Sequence, residues 1–134
     1  LASNSDTFDQ QILNLVNQER AKVGADPLRI NAQLDQAADL HTQDQANMDK
    51  MSHTGSDGST MSERIQDAGY QYSTAGENVA AGYSDAEAVV DGWMGSSRHR
   101  ANILNSSFEE LGVGYGVSDD GTAYWTQNFG AELA

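Results

Sequence analysis

Three side chains in this 134-residue sequence have the types and the local company to do chemistry together: His53, Glu77 and His99. The chain has only three histidines, and these two stand among small residues, in Met51-Ser52-His53-Thr54-Gly55 and Gly95-Ser96-Ser97-Arg98-His99. Glu77 lies in Ala75-Gly76-Glu77-Asn78-Val79-Ala80-Ala81-Gly82, which reads as a flexible stretch that leaves its carboxylate reachable. Two imidazoles and a carboxylate form a familiar ligand set for a catalytic zinc, with an open position for a water that the metal acidifies toward neutrality. The spacing is not diagnostic, because zinc motifs recognisable in sequence place two ligands one helical turn apart. On spacing alone, ordinary surface histidines are the favoured reading.

The same atoms admit a second chemistry, in which a histidine oriented by Glu77 activates Ser52, Ser96 or Ser97 as a nucleophile. No Gly-x-Ser-x-Gly elbow accompanies those serines, and serines beside histidines usually serve as loop hydrogen-bonders or helix caps. The third histidine, His41, falls in an apolar helical stripe. It reads as a packed ring bonded to a backbone or side-chain partner, outside the site.

The elements that must position these residues follow from periodicity. Ser5 or Asp6 can cap a first helix whose Phe8, Ile12, Leu15, Val16 and Val23 share a face, and Gly24 ends it. Asp26-Pro27-Leu28-Arg29-Ile30 is an extended link, and Asn31 caps a second helix bearing Leu34, Ala37, Ala38, His41, Gln45 and Met48. Met51 to Ser59 is a polar, turn-rich loop of the kind that displays functional residues, with His53 near its start. A third helix spans about Thr60 to Ala68, Tyr70-Gln71-Tyr72 is a short strand, and a fourth helix carries Ala86, Val89, Val90 and Trp93. Leu111 to Val117 and Ala123 to Phe129 alternate as strands around the Asp119-Asp120-Gly121 turn. Gly112, Gly114 and Gly116 within the first of these predict close packing against another element, and Trp93, Tyr115, Tyr124 and Trp125 read as core. The expectation is an α+β fold, an antiparallel sheet packed against helical layers.

Seven basic and twenty acidic residues give a net charge of −13, with the acids scattered along the chain. Nucleic acid and anionic membranes are held by clustered Lys and Arg, so neither is an expected partner. Arg98 and Arg100 are too few to make a groove. There is no cysteine, hence no disulfide framework or thiolate chemistry, and no apolar run of transmembrane length. The start at Leu1-Ala2-Ser3 lacks the pattern of a signal peptide, so any such peptide is expected to have been removed.

Taken in order, the motifs resemble the CAP superfamily, that of cysteine-rich secretory proteins, antigen 5 and pathogenesis-related proteins, in its cysteine-free bacterial branch. The resemblance rests on Val16-Asn17-Gln18-Glu19-Arg20, Pro27-Leu28, Ser52-His53-Thr54, Gly76-Glu77-Asn78-Val79-Ala80, the helix ending in Trp93, His99-Arg100-Ala101-Asn102-Ile103-Leu104, Leu111-Gly112-Val113-Gly114 and Tyr124-Trp125-Thr126-Gln127. It covers essentially the whole chain, residues 1–134 as one domain. It implies an α-β-α sandwich and a cleft where two His and two acidic residues converge on zinc or another divalent cation. His53, Glu77 and His99 match three of those positions. The fourth, a Glu in animal and plant members, falls at about Ser96, which supplies no carboxylate, so the cleft is either a three-ligand site completed by water or one without tight metal affinity. Arg98 stands where Gly is more usual. Asn78, Ser96, Ser97 and Arg98 are the expected cleft-lining residues.

The resemblance implies a secreted, monomeric module at the bacterial exterior that binds a small apolar ligand or a cell-surface component. The alternative is a metal-assisted hydrolase of peptidase or esterase type using His53, Glu77 and His99. The binding module is favoured, since the chain has neither a full ligand set nor a clear nucleophile.

Overall fold

The computed structural model describes residues 4–134 and places a four-stranded sheet between two helical layers. The first helix, α1, runs Asn4–Lys22 and buries Ile12 and Val16 completely. Ser5 and Asp6 lie within it rather than at its cap, and Val23 lies beyond its end, exposed. Gly24, at φ 76°, carries the chain out of the helix. A two-residue strand, β1 (Arg29–Ile30), then precedes α2 (Ala32–Met48), whose first turn is capped by the Asn31 side chain accepting from the Gln33 and Leu34 amides. Helix α3 (Met61–Asp67) opens with a capping box in which Thr60 and Glu63 satisfy each other's backbone amides.

Strand β2 spans Tyr72–Ala81, followed by α4 (Ala86–Met94), α5 (Ser97–Leu104), β3 (Glu110–Val117) and β4 (Ala123–Glu132). The sheet order is β1-β3-β4-β2. The three long strands are antiparallel, as the alternating sequence predicts, while β1 adds a parallel edge that makes the sheet mixed. Helices α1, α4 and α5 pack on one face around Ile12, Val16, Val89, Trp93, Ile103, Leu111, Val113, Trp125 and Phe129. On the other face α2 and α3 enclose a smaller core of Leu34, Ala37, Ile65 and Tyr70. Each Ile, Leu or Val removed from water in these cores contributes about 1.5–3 kcal/mol before the entropy of ordering is charged against it.

The period-2 geometry of β3 explains how the layers fit. Leu111 and Val113 enter the larger core, so Gly112 and Gly114 face α2, and a Cβ on either would overlap backbone atoms of Leu34 or Ala38. The predicted close packing of these glycines is therefore strand backbone against helix backbone.

Two segments differ from the sequence expectation. Glu77 is not on a flexible glycine-flanked loop but within β2, opposite Asn128 of β4. Ala75, Gly76, Ala80 and Ala81 carry little β propensity and hide the strand. The segment after Ser96, to which the periodicity assigns no element, is a helix, α5. Its polar sequence gives little helical periodicity, because only Ile103 is buried.

Candidate functional site

Strand β2 sets the directions of the candidate side chains. Glu77 shares its face with its cross-strand partner Asn128, and Asn78 shares the opposite face with Gln127. The Glu77 side chain is 2% exposed, and both its oxygens are engaged. Oε1 accepts from His53 Nδ1 at 2.9 Å and from Arg64 Nη2 at 3.1 Å, and Oε2 accepts from Arg64 Nη2 and Asn128 Nδ2, each at 2.9 Å. Burial by itself pushes the Glu77 pKa up. The His53 hydrogen bond, the Arg64 charge and the Asn128 amide outweigh it and hold the carboxyl below its ordinary value.

Helix α2 fixes the loop that carries His53. His41, wholly buried, lies with Nε2 2.6 Å from the Ser52 carbonyl, and Gln45 Oε1 accepts the Ser52 amide at 3.1 Å. Both backbone polar groups of Ser52 are thus clamped immediately before His53. Gln45 and Thr42 in turn hydrogen-bond the Thr126 hydroxyl at 3.0 and 2.7 Å, tying the clamp to β4. His41 is accordingly the packed, backbone-bonded histidine that its apolar stripe predicts. His53 donates Nδ1–H to Glu77 from a ring that is 54% exposed.

His99 is in the first turn of α5, with Nδ1 2.9 Å from the Ser96 hydroxyl. That bond explains why Ser96, at the N-cap position, makes no side-chain cap. The α5 backbone is anchored to β2 through Asn78, whose Nδ2 donates to the His99 carbonyl at 3.1 Å and to Gln127 Oε1 at 3.0 Å. Asn102 Nδ2 reaches the Glu77 carbonyl at 3.3 Å and Trp93 Nε1 the Val79 carbonyl at 3.1 Å, so α4 and α5 cover an edge of the sheet that would otherwise invite pairing. Between this corner and the His53 loop lies a cavity of about 270 Å³ lined by Met51, Val79, Ala80, Ala81, Tyr83, Gly92, Trp93, Ser96 and His99.

The family model for cysteine-rich secretory proteins, CAP, matches residues 13–129. The chain belongs to this family. It is 36% identical over 127 residues to YkwD of Bacillus subtilis (strain 168), covering 95% of this chain and 48% of YkwD. An extracellular protein of Bacillus anthracis containing an SCP domain superposes with a TM-score of 0.84 at 32% identity, over 98% of this chain and 45% of that one. An outer surface protein of Borrelia burgdorferi shares the fold at a TM-score of 0.89 and 19% identity, over 98% of this chain and 97% of that one. The chain thus spans about half the length of YkwD and of the Bacillus anthracis protein. As a CAP member it is cysteine-free, and no disulfide supports its sandwich.

This CAP chain brings together His53 and Glu77 but does not gather His53, Glu77 and His99 into a ligand cluster. Among the described residues no three His, Cys, Asp or Glu side chains form a group that could hold a metal ion. Arg64 already lies against the carboxylate, so the residues as arranged do not fit the expected zinc or other divalent cation. Of the expected cleft residues, Ser96 lines the cavity, Asn78 is buried beneath it as an anchor, and Ser97 and Arg98 are exposed on α5. Arg64 and Asn128 went unanticipated. Asn128 is found only once the β2–β4 register is known, and Arg64 only once α3 is packed against β2.

Titration of these groups gives the fold an acid-sensitive component. Burial holds the His41 and His99 pKa values below the ordinary one, and the nearby His53 and Arg98 charges further depress that of His99. For a base with a folded pKa below its unfolded value of about 6.5, the unfolded chain takes the proton first. That stability is complete above about pH 6.5 and is lost as pH falls through the folded values. Glu77 adds a second loss below its unfolded pKa of about 4.3, as its depressed folded value is crossed. Urea midpoints should therefore decline from pH 7 to pH 5 and decline further below pH 4, with the first decline reduced in His41→Gln. A midpoint that rises between pH 7 and pH 5 contradicts this assignment.

Proposed function

We propose that this chain is an extracellular binding module that takes a small apolar ligand, free or as part of a cell-surface component, in the cavity beside His99. The observation that carries the reading is the chemistry of that cavity. Met51, Val79, Ala80, Ala81, Tyr83 and Trp93 supply its apolar wall, and Ser96 and His99 supply a polar end. Sites for small ligands have this composition, mostly apolar lining with a few placed polar groups. The volume of about 270 Å³ suits a short acyl or ring system rather than a long lipid. An extracellular setting accords with the similarity to the Bacillus anthracis SCP-domain protein, which is itself extracellular. Among the described residues no helix is long and apolar enough to cross a membrane.

The metal-assisted hydrolase has less support from the geometry. Glu77 is saturated by donors and held below its ordinary pKa, a poor state for a base that must take a proton from water. Ser96 is hydrogen-bonded to His99, and among the described residues no carboxylate hydrogen-bonds that ring to orient it.

Binding is tested with a medium-chain fatty alcohol, a neutral probe chosen because the chain carries a net charge of −13. Trp93 forms part of the wall, so occupancy should shift tryptophan emission. Met51 is half-exposed at the cavity, and Met51→Glu places a charge there at little cost to the fold. It should weaken binding at least about tenfold, which corresponds to about 1.4 kcal/mol. Unchanged emission on titration, together with no copurified small molecule in native mass spectrometry, would sink the reading.

A further inference from the structure

We propose that Arg64 is a built-in counter-cation, seated on Glu77 where a divalent ion would otherwise bind, so that this carboxylate and the His53 loop are held without metal. One nitrogen, Nη2, straddles the carboxylate at 2.9 and 3.1 Å from its two oxygens, in the position of a cation gripped by a bidentate carboxylate. The same nitrogen donates to the His53 carbonyl at 2.9 Å, and Nη1 donates to the Ser59 carbonyl at 2.9 Å. The guanidinium therefore joins β2 to both ends of the 53–59 loop, as a structural metal would join ligands from separate segments.

Charge and donor count favour the arginine over an ion. Glu77 and Arg64 neutralise each other in a pocket where their side chains are 2% and 11% exposed. With His53 and Asn128 also donating, both carboxylate oxygens have two partners, and a metal could bind only by displacing some of them. A divalent ion would also face the guanidinium it displaced, leaving a like-charge contact in a desolvated site. A planar fork that is always charged suits this role better than a lysine, which would offer a point charge and fewer fixed donors.

Arg64 is thus a positioning residue: it acts on His53 and Glu77. Zinc titration by calorimetry at pH 7.5 compares the wild type with Arg64→Met, Arg64→Lys and the double variant Arg64→Met, Glu77→Gln. Wild type and Arg64→Lys should take up no zinc at Glu77. Arg64→Met, checked as folded by circular dichroism, should gain about one equivalent of zinc beyond any the wild type takes up, and the double variant should lose it. A purely structural arginine would destabilise the fold when removed without creating that uptake. A folded Arg64→Met with no gain overturns the proposal. So do zinc-soaked wild-type crystals with anomalous density at about 2.0–2.2 Å from a Glu77 oxygen, and that experiment decides alone if Arg64→Met does not fold. Density confined to His53 or His99, away from Glu77, supports it.

Discussion

Gly112→Ala should destabilise this protein by about 3 kcal/mol or more, from the addition of a single methyl group. The new Cβ would overlap the Leu34 carbonyl carbon and oxygen and the Asp35 amide nitrogen, which are helix backbone and cannot rotate away. To make room, α2 must lift from β3, and that movement also strains the bond from the Val113 amide to Asp35 Oδ1, 2.8 Å long. Gly114→Ala meets the Ala38 carbonyl and the Thr42 hydroxyl, so its cost should be comparable. Gly116→Ala meets only the Thr42 methyl at 3.3 Å and should cost under about 1 kcal/mol. Urea denaturation of the three variants should give that ordering. Equal losses at all three positions would show that glycine is needed for the strand's backbone freedom and not for the approach of the helix.

The same glycines explain why much of the fold can be read from the sequence. A Gly-x-Gly-x-Gly pattern with Leu111, Val113 and Tyr115 between has one reading that satisfies both periods: one face in an apolar core, the other against backbone. The stripes of α1, α2 and α4 and the Asp-Gly turn between β3 and β4 are legible for similar reasons, since local pattern and tertiary burial agree. Strand β2 fails the test. Its central residues are small because α4 and α5 cover its edge and Phe108 crowds Gly76, demands imposed from distant parts of the chain. Strand β1 exists only because Glu110 and Leu111 offer a parallel partner far along the sequence.

For the site, residue type reveals more than position does. A histidine and a glutamate in small-residue surroundings point to His53 and Glu77, and the two are hydrogen-bonded. What their types do not reveal is the third party. Arg64 reaches Glu77 across 13 residues of sequence, from a helix whose own signals, the Thr60 cap and the inward Ile65, say nothing of where its arginine points. Ser96 is informative by contrast: a hydroxyl there bonds His99 and supplies no ligand, consistent with a carboxylate already neutralised by an arginine.

A second arginine carries a still larger structural load. Arg20→Met should cost about 3–5 kcal/mol, and Arg20→Lys should recover less than half of it. Arg20 is wholly buried in α1 and makes four donations, all to backbone carbonyls: Nε to Asp26 at 2.7 Å, Nη1 to Ile103 and Asn105 at 2.9 Å each, and Nη2 to Phe108 at 3.1 Å. Those carbonyls end α1's connection to β1, the last turn of α5 and the approach to β3, so one guanidinium satisfies three chain segments that have no strand or helix to pair with. Burial lowers its pKa, and the nearby Asp26 charge works against that shift. A methionine fills a similar volume but leaves the Asp26, Ile103 and Phe108 carbonyls unpaired in a site closed to water, Asn105 keeping only the Phe108 amide at 3.2 Å, while a lysine brings charge without the planar spread needed to reach all four. Thermal unfolding should show a drop on the order of 10–20 °C for Arg20→Met. A drop of only a few degrees would mean that water enters to serve the carbonyls. Because Asn105 and Phe108 lie between α5 and β3, loosening them should also raise amide exchange at Ile103 and Glu110, a local signature that a general loss of stability would spread across the whole sheet.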